Sequence, residues 1–89
     1  MCRNIKALFN FEPPFTDDDI RASALRFVRK LSGFNQPSKA NEAAFLLAIE
    51  TVTAASRNLL RSLETGAPPR NRVAEAARAR ARAAQRFAA

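Results

Sequence analysis

The chain has 89 residues, enough for one small domain, and its fifteen Lys and Arg against eight Asp and Glu give a formal charge of +7. Hydrophobic types make up 47% of it, but Ala is the most frequent among them, so the large side chains available for a core are few. Patterned apolar content excludes a disordered chain, no uninterrupted run reaches the roughly 20 apolar residues of a membrane span, and a sequence with no His and one Cys offers no imidazole base and no internal disulfide.

Residues 1–15 read as an irregular apolar arm. Ile5, Leu8, Phe9, Phe11 and Phe15 are too many large side chains to leave in water, each contributing roughly 1.5–3 kcal/mol on burial. Pro13 and Pro14 forbid a continuing helix and favour extended backbone.

Helix one is expected over 16–32. Thr16 is a capping residue, and Asp17, Asp18 and Asp19 suit the positive end of the helix dipole. Ile20, Ala24, Phe27, Val28 and Leu31 recur at helical spacing, and Gly33 is a left-handed terminator. A connector through Pro37 follows.

Helix two is expected over 38–65, with Ser38 as its cap. Phe45, Ile49, Val52, Ser56, Leu59 and Leu63 form a heptad-like seam flanked by Ala48 and Leu60. Ala40, Ala44, Leu47, Thr51, Ala54 or Ala55, and Asn58 make a second, weaker face, which suggests a helix covered on both sides; a plain solvated face carries small residues as well. Gly66 and Pro68-Pro69 end it.

Residues 70–88 predict a third helix rich in Ala and Arg, both strong helix formers. Six Arg and one Glu fall in 70–89, so most of the net charge lies here. Val73, Ala76, Ala77, Ala84 and Phe87 form a thin apolar face. Arg80 interrupts that face, and it is expected to reach its edge or meet a carboxylate such as Glu64. No segment reads as a strand. The expected fold is all-α, one domain over 1–89, with the arm packed on a three-helix antiparallel arrangement around a long central helix.

The opening Met1-Cys2-Arg3-Asn4-Ile5-Lys6, Pro13-Pro14 before Thr16, and Phe27-Val28-Arg29-Lys30 with Ser32-Gly33 can be read together with Pro37-Ser38-Lys39-Ala40-Asn41-Glu42-Ala43-Ala44-Phe45. With Ala67-Pro68-Pro69 and the Arg-Ala tail, these blocks resemble a bacterial family catalogued as domain of unknown function 2277. The resemblance implies a small bacterial, cytoplasmic protein and supplies no activity. The lack of a secretory signal and of paired cysteines suits the same setting.

Four groups of residues carry the candidate chemistry. Cys2, with Arg3 beside it to favour the thiolate, would be a reactive or metal-binding thiol if Met1 is removed; the plain alternative is a small buried residue. Asp17, Asp18 and Asp19 point about 100° apart on a helix, so they serve the dipole rather than converge on an ion. Lys30, Ser38, Lys39 and Asn41 gather near a helix start, where free N–H groups favour an anion; capping and surface charge account for the same residues. Arg72, Arg78, Arg82 and Arg86 would track a phosphate backbone or serve as a solvated helix face.

The first reading is therefore a non-enzymatic helical module for protein association, with a homo-oligomer formed through helix two. The alternative is a nucleic-acid accessory protein that uses the basic helix without reading sequence. The third is thiol or metal-thiol chemistry at Cys2. No cofactor, metal or membrane is expected.

Overall fold

A computed structural model describes residues 5–88. Its first helix, α1 (Asp17–Ser32), begins where the sequence places a cap. Thr16 is extended, its hydroxyl accepts the Asp19 N–H at 3.3 Å, and its own N–H donates to the Asp19 carboxylate at 2.8 Å. This reciprocal box satisfies two donors that a helix start leaves open. At the other end Gly33 adopts φ 79° and donates its N–H to the Arg29 carbonyl at 2.9 Å. That left-handed geometry is one that glycine adopts at no Cβ cost.

The second helix, α2 (Glu42–Ser62), is shorter than the expected 38–65. Lys39–Asn41 form a single 3₁₀ turn before it, and Leu63 is already extended with ψ 141°. Asp17 meets Arg57, and Arg21 meets Glu50, so rising numbers in α1 oppose falling numbers in α2. The two helices therefore run antiparallel.

Between them lies a small core. Ile20, Ala24, Val28 and Ile49 are buried, with Leu25, Phe45, Ala48 and Val52 partly buried against them. Thr53 is buried too, its hydroxyl donating to the Ile49 carbonyl at 2.7 Å. The expected stripes need correcting at their ends. Phe27 and Leu31 are 41% and 76% exposed, because the buried line of α1 steps strictly by four through 20, 24 and 28. Leu63, already extended beyond the end of α2, is exposed, and within α2 the inward line passes from Ser56 to Leu60, leaving Leu59 58% exposed. A seam drawn at 3.5 residues per turn drifts off a straight helix of 3.6 within a few turns.

The arm is mostly irregular, as expected, but it contributes one strand. Phe11–Glu12 (β1) and Arg70–Asn71 (β2) form a two-residue parallel strand pair, with Phe11 opposite Arg70. The Glu12–Pro13 peptide is cis. Asn10 turns the chain with φ 63°, accepts the Arg70 N–H at 2.9 Å, and donates its side-chain amide to the Ala67 and Pro68 carbonyls, both at 3.3 Å. No strand was expected because neither segment alternates; the pairing comes from residues that meet only in the fold.

The last helix, α3 (Arg72–Ala88), starts directly from β2, and Asn71 accepts the Ala74 N–H at 2.8 Å. Its neighbours are β2, the arm and, through Arg72, Asp19 of α1. The protein is thus mostly helical, with three helices and one short strand pair. It is also open: the radius of gyration is 15.7 Å, against about 12 Å for a compact chain of this length. Contrary to the expectation of no span, Lys39–Ser62 is long and apolar enough to cross a membrane by length and composition alone. Glu50 and Arg57 lie within it and are both paired to α1, which suits a helix held in a protein.

Candidate functional site

The arm, β2 and α3 enclose a cleft of about 350 Å³. Its floor is Phe11 and Phe15, whose rings meet edge to face at 5.2 Å. Five cations line it: Lys6, Arg70, Arg72, Arg80 and Arg82. The aromatic floor positions three of them. Arg70 lies over the Phe11 ring at 4.8 Å, Arg72 over Phe15 at 3.9 Å, and the Lys6 ammonium 5.5 Å from Phe15. Such contacts use the ring face and leave the N–H donors for another partner.

Two carboxylates report the field of these cations. Asp19 is held below its ordinary value of 3.8, first by the Thr16 backbone and hydroxyl hydrogen bonds and then by the charges of Arg72 and Lys6. Arg72 stands 3.8 Å from it. Glu75, the one acid lining the cleft, is also held low, chiefly by its hydrogen bond from Arg78, with Arg70 and Arg82 adding to the effect.

The structure divides the Arg set that sequence spacing put together. Arg72 and Arg82 face the cleft, whereas Arg78 pairs with Glu75 and Arg86 lies further along α3. Arg80 lines the cleft, and among the described residues it makes no ion pair with Glu64. Lys6 and Arg70 were missed because only the strand pair brings them here. Ser38, Lys39 and Asn41 share the 3₁₀ turn region, where the Asn41 amide donates to the Ser38 hydroxyl at 2.9 Å, so those two polar groups engage each other. Lys30 is exposed in the last turn of α1. Cys2 lies outside the described residues. Asp17 and Asp19 take separate partners, Arg57 and Arg72, and no metal-holding group of acidic or sulfur residues occurs among the described residues.

A second surface is notable for what it lacks. The charges of α2 at Glu50, Arg57 and Arg61 follow one edge, the edge that meets Asp17 and Arg21. At 100° per residue the other edge carries Ala44, Leu47, Ala48, Thr51, Ala55, Asn58 and Leu59, without a charge. Thr51 turns its hydroxyl back to the Leu47 carbonyl at 2.7 Å, so that donor is satisfied within the helix. Leu47 is 68% exposed. By the same helical geometry Phe27 and Leu31 of α1 fall on this side of the helix pair.

The sequence model of one family, described as "Uncharacterized conserved protein (DUF2277)", matches residues 1–78. No curated protein and no solved structure matches the chain.

Proposed function

The chain belongs to the DUF2277 family of uncharacterized conserved proteins, and from that premise we propose that it is a small helical association module, a binding protein rather than a catalyst, that pairs with a second copy of itself through the uncharged edge of α2. The observation that carries this reading is surface. The chain exposes 7066 Å². A compact monomer of 9.8 kDa exposes about 5,200 Å² by area–mass scaling. The excess is roughly 1,900 Å², and a standard interface takes about 800 Å² from each partner. A second copy is the occupant that the chemistry favours. An edge free of charge meets its own copy without repulsion, and the exposed Ala44 and Ala55 allow close approach of two helices. Pairing there would complete the helix packing that α3, engaged with the arm, does not supply.

The residue set supports binding over catalysis, since the chain holds no His to act as an acid or base near neutral pH. The family resemblance favours a bacterial cytoplasmic setting. Sedimentation equilibrium tests the reading: a dimer is expected at tens of micromolar, and Leu47→Glu with Leu59→Glu is expected to weaken it at least tenfold while leaving helical content unchanged. A monomer at hundreds of micromolar rejects it. Sedimentation of the protein with neutral lipid vesicles, lost in the double variant, would assign the edge to a membrane instead.

A further inference from the structure

We propose that the cleft between the arm and α3 binds a nucleoside phosphate: a phosphate group held by Arg70, Arg72, Arg80 and Arg82, with a flat ring against the apolar wall. The inference does not depend on self-association, because the cleft and the uncharged edge are built from different residues.

Three features of the cleft point to this ligand. The first is an excess of positive charge. Five cations share the cavity with one carboxylate, Glu75, and that carboxylate already accepts from Arg78. Among the described residues, none of the five donates a side-chain hydrogen bond, and Arg72 is 3.8 Å from its nearest acid. Cations gathered this closely repel one another, and an anion removes that repulsion. The second is position. Arg70 and Arg72 are held over Phe11 and Phe15, so part of the cost of ordering them is met before a ligand arrives. Arginine supplies the planar fork that pairs with phosphate oxygens.

The third feature decides the class of anion. Ala7, Ala76, Ala79 and the two Phe rings make the rest of the lining. Inorganic phosphate leaves that wall unused. A base or sugar fills it, and a base also stacks on guanidinium planes. The cavity of about 350 Å³ lies within the range of small-ligand sites. It is a concavity rather than a flat basic face, so a duplex is a poor fit. A free mononucleotide and one unit of a single strand present the same chemistry, and the experiment separates them.

Full-length protein is titrated with a fluorescent single-stranded twelve-nucleotide oligomer, with a mononucleotide, with inorganic phosphate and with a duplex of equal length. Nucleotide or single strand is expected to bind at least tenfold more tightly than phosphate or duplex. A single strand that engages several units would show a log–log salt slope of about −0.7 per phosphate contact, whereas a mononucleotide that matches the oligomer in affinity identifies the free ligand. Arg80→Gln with Arg82→Gln, at exposed positions, is expected to weaken binding at least tenfold. Lys30→Gln with Arg61→Gln removes the same charge at exposed positions outside the cleft and is expected to change it less than twofold. Circular dichroism of both variants checks that the helices remain. The proposal is overturned if no probe binds at low salt, if phosphate or duplex binds as well as the nucleotide probes, or if the two double variants lose affinity equally.

Discussion

The Arg72 guanidinium lies over the Phe15 ring, 3.9 Å from its centroid, and the same side chain stands 3.8 Å from the Asp19 carboxylate. One residue at the start of α3 thus touches the arm and the first turn of α1. A double-mutant cycle of Phe15→Leu and Arg72→Gln is expected to give a coupling of about 0.5–1 kcal/mol, the range for an exposed cation–ring pair. Hydrogen exchange in α3 should speed up in either single variant. Additive effects would show that the contact does not hold α3 in place.

Burial separates two residues that sequence spacing treats alike. Ile49 is 3% exposed, whereas Leu59 is largely exposed. Ile49→Ala is expected to cost about 2–5 kcal/mol in urea unfolding. Leu59→Ala, measured at a dilution where the protein is monomeric, is expected to change stability by no more than about 0.5 kcal/mol. Equal losses would place Leu59 in the monomer core.

Acid should loosen the start of α1. Asp19 is held below 3.8, so the folded state prefers its charged form, and that contribution is fully present above 3.8. It is lost as pH falls from there through the lower folded value. Asp19→Asn is expected to lower stability at neutral pH and to flatten the pH dependence below about 4. A variant whose acid unfolding curve matches that of the parent would contradict the capping assignment.

Asn10 combines a left-handed backbone with two side-chain bonds to the Ala67 and Pro68 carbonyls. Asn10→Gly keeps the backbone freedom and loses only the amide bonds. Asn10→Ala loses both and adds about 1–2 kcal/mol of left-handed strain. Thermal melts should therefore rank the parent first, Asn10→Gly second and Asn10→Ala last. If Ala is as stable as Gly, the left-handed geometry is not retained in solution.

The elements that local chemistry controls were legible in sequence. Thr16, Asp19 and Gly33 act over four residues or fewer, and they end α1 where the pattern places its ends. The inward line of α2 was readable as far as Ser56, after which the difference between 3.5 and 3.6 residues per turn decided between Leu59 and Leu60. The cleft was legible only in fragments. Arg72 and Arg82 were singled out for charge, while Lys6, Arg70 and Arg80 needed the pairing of Phe11 with Arg70 to join them. Nothing in the spacing of a two-residue strand announces a partner so far along the chain. The row of Phe in the arm was the available signal, read as packing alone when Phe11 and Phe15 also carry cations on their faces.

The bond from Asn10 to Pro68 spans 58 residues, and the strand pair beside it makes the intervening chain a ring with the α1–α2 hairpin inside. Closing so long a loop from an unfolded chain is entropically unfavourable and slow. Once the hairpin has formed, its folded length brings the ring's ends much nearer together. The hairpin is thus expected to form first and the ring to shut second, with α3 carried into place by the closure. Opening should follow the reverse order, so α3 would detach at a free energy below that of global unfolding. Any ligand that occupies the cleft would bind only the closed ring and would act as a lock on it, detectable as slower exchange at Arg70 and Asn71 before any change in α2.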